Sequence, residues 1–400
     1  MSPDDGPDAE APARLRWPEG LDEATFLARH WQRAPLLLRG ALPGFETPLP
    51  PDELAGLSLE PDTTPRLIRR DAGGAFTLEH GPFEETIFAG LGERDWSLLV
   101  TDVDKHVPEL AAWLAPFRLA PDWRLDDLMV SYAPDGASVG AHVDEYDVFL
   151  LQASGTRRWS IDASAGEAPG SHRSVAHGDL RLLADFTPSD TWDLEPGDVL
   201  YLPPGVPHHG VAVGEDCTTW SIGFRAPSAA DVVLHLAERV AERLAARLPQ
   251  TRLADAGRGR GEPGRIDAAT IDAVAALWRE ATTLDRETLE ALTGELLTRS
   301  GTAADDGAPE EERDDDGESG DDGDVLRYRV APFARLAWSG EGERVALFAN
   351  GERLESSGRL ARLLCAADGD VVRLDPDATG ADERATCAAL VERGVLLPGS

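Results

Sequence analysis

His142 and Asp144 stand two residues apart in Val139-Gly-Ala-His-Val-Asp-Glu-Tyr-Asp-Val-Phe149. On an extended strand alternate side chains share a face, so this pair presents an imidazole and a carboxylate together, two ligands for a metal. A third ligand can come from Gly197-Asp-Val-Leu-Tyr-Leu-Pro-Pro-Gly-Val-Pro-His-His-Gly210, where a short apolar strand enters a Pro/Gly turn and emerges on histidine. His208 and His209 compete for that place, because neighbours on a strand face opposite ways and only one can point inward. Two imidazoles and one carboxylate with open coordination positions make the facial set of non-haem Fe(II) centres that activate oxygen. An isolated His-x-Asp is more often a hydrogen-bonded surface pair. Here glycine-rich turns precede both segments, and β-branched and aromatic residues follow the first, as strand ends lining the mouth of a barrel require.

The elements that must hold these groups are spread over 400 residues, more than one core usually organises, so two or three domains are expected. Formal net charge is -35, and Lys105 is the only lysine. Such a field repels nucleic acid and favours basic partners, although acidic surfaces equally serve solubility. There is no run of eighteen apolar residues, and Met1-Ser-Pro-Asp-Asp-Gly lacks the basic start and apolar core of a signal peptide. A soluble, cytoplasmic protein without membrane association is expected. Cys217, Cys365 and Cys387 are distant and odd in number, which suggests neither a disulfide framework nor a zinc knuckle.

Residues 1–16 are rich in Pro, Asp and Ala and read as disordered. Asp22 can cap a helix on which Phe26, Leu27, His30 and Trp31 share a face, with His30 packed or capping rather than ligating, and Arg33 to Leu42 reads as a strand. From Asp126 to Pro227 short strands alternate with turns: Leu128–Tyr132, Tyr146–Gln152, Thr156–Ile161, Val199–Leu202 and Thr218–Phe224. That pattern predicts a β jelly-roll over residues 17–227. Asp162 to Asp190 lacks periodicity and reads as an inserted loop that leaves His172 and His177 in solvent. After Pro227 the period becomes helical: Val232, Leu236, Val240, Leu244 and Leu248, then Ile271, Val274, Leu277 and Trp278, then Leu289, Leu292 and Leu296. Residues 228–300 are thus a helical module, with a loop from Ala254 to Arg265, whose amphipathic helices suit a homodimer. Residues 301–324 hold twelve Asp or Glu against one Arg and cannot bury a core, so they read as an acidic disordered linker. In 325–400, Val345–Ala349 before Asn350-Gly351 signals a hairpin, Gly358–Ala367 and Ala381–Arg393 signal helices, and Gly394 suits a helix end. This small α+β domain could be a winged helix. Its ten Arg against eleven acidic residues argue against direct nucleic-acid binding.

Val139–Phe149 and Gly197–Gly210 resemble the JmjC-type cupin 2-oxoglutarate/Fe(II) oxygenases, and specifically the bacterial ribosomal oxygenases. Phe26-Leu-Ala-Arg-His-Trp-Gln-Arg-Ala-Pro-Leu-Leu-Leu-Arg-Gly40, Gly155-Thr-Arg-Arg-Trp159 and Trp220-Ser-Ile-Gly-Phe-Arg-Ala-Pro227 resemble further parts of that family. The resemblance spans nearly the whole chain, and the acidic linker is its main departure. It implies a mixed fold: a double-stranded β-helix, then an α-helical dimerisation module and a winged-helix-like domain. It assigns His142, Asp144 and His208 to iron, choosing His208 over His209 by its position directly after Pro207. It implies 2-oxoglutarate as cosubstrate, held at its distal carboxylate by Arg157 and, in support, Ser221, with Arg158 facing outward. The implied reaction uses O2 to hydroxylate a basic ribosomal protein of the large subunit, at C3 of an arginine. Asp135, Glu145 and Tyr146 are candidates to meet that side chain, by proximity in sequence. Histidyl hydroxylation, lysine demethylation and a metal-binding cupin without redox chemistry stay open beside it.

Overall fold

The computed structural model describes residues 14–163, 174–177, 180–247, 265–299, 325–367 and 371–399. The chain divides into two compact units, Met1–Ala226 and Pro227–Ser400. Eleven strands are described in the first: β1 Leu36–Leu38, β2 Thr64–Arg70, β3 Phe76–His80, β4 Trp96–Thr101, β5 Leu125–Ala133, β6 Asp147–Ile161, β7 Ser174–His177, β8 Leu180–Leu183, β9 Asp190–Leu194, β10 Val199–Leu202 and β11 His208–Phe224. Nine form one sheet in the order β1-β10-β6-β11-β5-β4-β2-β3, with β9 also paired to β6. Every pairing in it is antiparallel.

The site depends on β6 and β11, which run side by side along their length. The first half of β6 lies between β10 and Thr219–Phe224 of β11, and its second half lies between β9 and His208–Val213. A register break between Val213 and Thr219 divides the two halves. Gly155 makes the bend possible: its φ is +61°, and a Cβ there would lie 2.7 Å from the carbonyl oxygens of Glu215 and Asp216. The sequence pattern had split β6 at this glycine and begun β11 ten residues late, because a bent strand reads as two. Asp147 to Ala153 are all buried, since both faces of the sheet are covered there. Phe149, Leu151, Tyr201, Trp220 and Phe224 pack with Phe26 and Phe117 on one face, while Val148, Leu150, Trp159, Ile161, Leu194 and Leu200 pack on the other.

Other elements refine the expectations. Asp22 caps the helix Glu23–Arg29, accepting from the Thr25 amide at 2.8 Å, and His30 closes it while stacking on Phe26. Order is present by Leu15, which is buried. The strand expected over Arg33–Leu42 is confined to Leu36–Leu38, flanked by Pro35 and the left-handed Gly40. The segment read as a loop between Asp162 and Asp190 contains the hairpin β7–β8, with His177 on β7, whereas His172 lies outside the described residues. Strands β2 and β3 carry Pro65 and several charges, which hid their period.

In the second unit the helices Ala229–Arg247, Ala268–Thr282 and Arg286–Thr298 fall where the apolar spacing put them. Strands β12 Leu326–Val330, β13 Leu336–Ser339, β14 Arg344–Ala349, β15 Glu352–Ser357, β16 Val371–Leu374 and β17 Leu396–Pro398 build two three-stranded sheets, β13-β14-β15 and β16-β12-β17. Asn350 and Gly351 turn the β14–β15 hairpin at φ +48° and +84°, both left-handed as a two-residue turn of this kind needs. Helices Gly358–Cys365 and Ala381–Glu392 follow, the second succeeded by left-handed Gly394. The helix Arg286–Thr298 belongs with these strands: Gly294 sits against the Phe348 ring, and the Thr298 hydroxyl accepts from the Gly351 amide at 3.0 Å. The acidic stretch 301–324 lies outside the described residues. Among the described residues no helix is long and apolar enough to cross a membrane.

One buried polar knot anchors the start of β6. The fully buried Asp147 carboxylate accepts from Arg124 Nη2 at 2.7 Å and from the Tyr201 hydroxyl at 2.6 Å, and the Arg124 guanidinium lies 5.3 Å above the Trp31 ring. Burial pushes the Asp147 carboxyl up, while Tyr201 and Arg124 pull it back toward the ionised form. Asp147→Ala leaves the Arg124 cation buried without a counter-charge and should cost about 3–5 kcal/mol, read as the difference in urea unfolding between the variant and the parent chain.

Candidate metal centre

The loop between β5 and β6 brings the first two ligands in, though not as a strand. His142 forms a single antiparallel bridge to His208, each amide donating to the other's carbonyl at 3.0 Å. The Gly205 amide donates to the Asp144 carbonyl at 2.8 Å, tying the same loop to the turn before β11. The common face expected from a period of two is therefore produced by a bridge across the chain. His142 Nε2 lies 3.8 Å from Asp144 Oδ1, and His208 Nε2 lies 3.4 Å from Asp144 Oδ2. One donor atom from each of the three lies within 4.8 Å of the others.

The donor set fits a divalent metal in its protonation as well as its spacing. His142 Nδ1 donates to the Gly140 carbonyl at 3.0 Å and His208 Nδ1 to the Val206 carbonyl at 2.9 Å. A carbonyl only accepts, so both rings carry their proton on Nδ1 and turn the Nε2 lone pair toward Asp144, the outer contact that orients ligating imidazoles. Burial, helped by His142 alongside, pushes His208 down to about 4, so it is neutral and ready to bind metal near neutral pH. His209 faces away, with Nε2 2.8 Å from the Ser138 hydroxyl and its ring edge-on to Phe186.

Arg157 shares the site's face. His208, Gly210 and Ala212 of β11 lie opposite Ile161, Trp159 and Arg157 of β6, so a period of two puts ligand and arginine on the same side. The Trp159 ring lies between them, 5.7 Å from the His208 ring and 5.8 Å from the guanidinium, and rests on Gly210, where a Cβ would approach it to 2.8 Å. Arg157 is 3% exposed, and its Nη2 is buried with no hydrogen-bond partner among the described residues. An uncompensated buried guanidinium costs too much to be idle, and its fork matches a carboxylate. Ser221 is 9% exposed on the same face, opposite Leu150. Arg158 turns outward to Asp193, at 2.7 and 2.8 Å.

The three mouth candidates separate. Tyr146 lies near the site: the protein around its hydroxyl, with Asp144 and Asp127, holds it well above the usual phenol range, although its ring is 40% exposed. Asp135 accepts from Arg94 at 3.0 Å and from the Gly214 amide at 2.8 Å, both in exposed surroundings. Glu145 is exposed. Sequence reasoning gave no site role to Trp159 and Cys217, which lie two residues from Arg157 and four from Ser221 respectively and so share a strand face with them.

A family model described as JmjC domain matches residues 112–232. The chain is similar to Escherichia coli K12 ribosomal protein uL16 3-hydroxylase, 42% identical over 229 residues, which are 57% of this chain and 58% of the relative. It is also similar to a probable ribosomal oxygenase of Haemophilus influenzae, 36% identical over 220 residues, 54% of this chain and 52% of the relative. Those alignments span little more than half the length of the curated relatives. Solved structures cover more: the X-ray structure of Escherichia coli YcfD is matched with TM-score 0.77 and 31% identity over 96% of this chain and 99% of that one. The structure of YcfD, a ribosomal oxygenase, in complex with cobalt and 2-oxoglutarate is matched with TM-score 0.75 and 29% identity over 97% and 99%. The chain belongs to the JmjC-domain family, in the branch represented by that ribosomal oxygenase.

Proposed function

We propose that the protein is an Fe(II)- and 2-oxoglutarate-dependent protein hydroxylase that adds oxygen to C3 of an arginine in a large-subunit ribosomal protein. The observation that carries this is the convergence of His142, Asp144 and His208 with both Nε2 lone pairs turned inward. The similarity to a uL16 3-hydroxylase and to a structure holding cobalt and 2-oxoglutarate supports it. Two imidazoles and one carboxylate would hold iron and leave positions open for the keto acid and O2. Bound there, iron supplies the oxygen activation that couples decarboxylation of 2-oxoglutarate to succinate with hydroxylation of an unactivated carbon.

The chain's own residues orient and shield that chemistry. Arg157 and Ser221 hold the distal carboxylate on the site face, with Arg157 Nη2 as the unused donor. Trp159 and the apolar residues packed with it, Leu150, Leu194 and Leu200, exclude water around the anchor. Asp144 would supply the anionic ligand, while the Gly140 and Val206 carbonyls hold the two imidazoles in orientation. Tyr146 lies beside Asp144 as a flat wall for the substrate side chain, and the net charge of -35 draws in a basic partner.

The remaining assignments extend this reading. Residues 17–227 are the catalytic domain, 228–300 a helical dimerisation module and 325–400 a winged-helix-like domain that does not bind nucleic acid directly, in a cytoplasmic homodimer. Val233, Leu234, Ile271, Val274 and Trp278 support the dimer, being 52–68% exposed on helices Ala229–Arg247 and Ala268–Thr282. Ile271, Val274 and Trp278 recur on one helical face, an apolar stripe that solvent alone leaves uncovered.

With Fe(II), ascorbate and 2-oxoglutarate the purified protein should release succinate, and His142→Ala or His208→Ala should abolish both turnover and Co(II) binding; turnover persisting in either variant removes the metal assignment. Because His208 binds metal only when neutral, Co(II) affinity measured by calorimetry should hold near neutrality and fall as pH drops toward 4. Arg157→Met should raise the KM for 2-oxoglutarate by about 10- to 100-fold, the worth of a charge-assisted pair, while leaving Co(II) binding intact. Intact mass of ribosomal proteins from a deletion strain should show one basic protein lighter by a single oxygen atom, and an unchanged profile defeats the substrate. Val274→Asp with Trp278→Asp should turn a dimer into a monomer in analytical ultracentrifugation; a monomeric parent chain defeats the dimer.

A further inference from the structure

Arg157 does not reach its place unaided. Its Nε donates to the Cys217 sulfur at 3.3 Å, its guanidinium carbon lies 5.8 Å from the centre of the Trp159 ring, and its Nη2 is buried with no hydrogen-bond partner among the described residues. Cys217 is fully buried within the register break of β11, next to Glu215 and Asp216, whose carbonyls close on Gly155 of β6. The sulfur is itself held. Gln152 Nε2 donates to it at 3.5 Å and to the Ser154 carbonyl at 2.8 Å, and the Thr219 hydroxyl fixes the other end of that amide, donating to Gln152 Oε1 at 3.0 Å. All four side chains, Thr219, Gln152, Cys217 and Arg157, are buried.

Resting on the reading that Arg157 anchors the cosubstrate's distal carboxylate, we propose that Cys217 is the positioning residue of that anchor, occupying Nε so that the carboxylate is taken end-on by the two Nη groups. A guanidinium can grip a carboxylate along its Nε/Nη edge or along its Nη/Nη edge. An acceptor on Nε removes the first mode and fixes one geometry. The chemical nature of the acceptor matters as much as its place. A carboxylate beside Nε would neutralise the guanidinium and compete with the ligand, whereas a thiol sulfur is a weak, neutral acceptor that orients the fork and leaves its charge for the dicarboxylate. Gln152 and Thr219 form the outer support that keeps the sulfur from yielding.

The test compares Cys217→Ala, Cys217→Val and Cys217→Ser in the full chain by succinate release, with Co(II) binding measured alongside. The alanine and valine variants, which lack an acceptor, should raise the KM for 2-oxoglutarate about three- to tenfold, the worth of one net hydrogen bond, with kcat and Co(II) affinity unchanged. The serine variant, which keeps an acceptor, should return the KM toward that of the parent. Valine leaves no cavity where the sulfur was and stands in if the alanine variant fails to fold. An unchanged KM in both alanine and valine variants, beside a raised KM in Arg157→Met, overturns the positioning role. An unchanged KM in Arg157→Met overturns the anchor itself, and a fall in kcat and Co(II) affinity together in the Cys217 variants marks general disruption and also defeats the proposal.

Discussion

Two backbone hydrogen bonds between His142 and His208 hold the site together. Each amide donates to the other's carbonyl at 3.0 Å, and that bridge closes a gap of sixty-six positions. A loop residue and a strand residue thereby acquire a fixed separation, and Asp144, two residues on, is carried into reach of both rings. The same backbone supplies the carbonyls of Gly140 and Val206, which dictate the tautomers. Geometry and protonation of the ligand set thus come from main-chain groups on either side of one bridge, a rigid support of the kind metal ligands need.

The sheet that carries β11 divides its labour by face. One side packs Phe149, Tyr201, Trp220 and Phe224 into an aromatic core with Phe26 and Trp31, and the Asp147–Arg124 pair is buried beside it. The other side places an apolar patch around Trp159 next to a polar strip of Gln152, Cys217, Thr219 and Arg157. Low polarity there has two opposite uses. It keeps His208 neutral for a metal, and it makes the buried Arg157, whose Nη2 has no partner among the described residues, unwilling to remain without an anionic ligand. A dicarboxylate spanning a metal and a guanidinium satisfies both demands.

The second unit shows how a helix counted with one module can belong structurally to another. Helix Arg286–Thr298 joins the strands after the acidic stretch through Gly294 against Phe348 and Thr298 against Gly351. Its connection to helix Ala229–Arg247 is also direct: buried His235 Nε2 donates to the Leu292 carbonyl at 3.1 Å. The exposed stripe of Ile271, Val274 and Trp278 lies on the helix between them in sequence.

Much of this was legible in the residues alone. The two metal-ligand segments, the capped helix at Asp22, the three helices after Pro227 and the Asn350-Gly351 hairpin follow from local rules of spacing, capping and turn chemistry, which act over a few residues and therefore leave marks in sequence. The family likeness picked His208 over its neighbour, and the structure groups His208 with His142 and Asp144 while His209 meets the Ser138 hydroxyl. What sequence could not hold was long-range register. The single bridge that replaces a ligand strand, the bend that joins two apparent strands at Gly155, the hairpin β7–β8 and the hold of Cys217 on Arg157 all depend on which distant backbone lies alongside. Pairing between strands is decided by the packing of the whole sheet, so only the tertiary structure could set it.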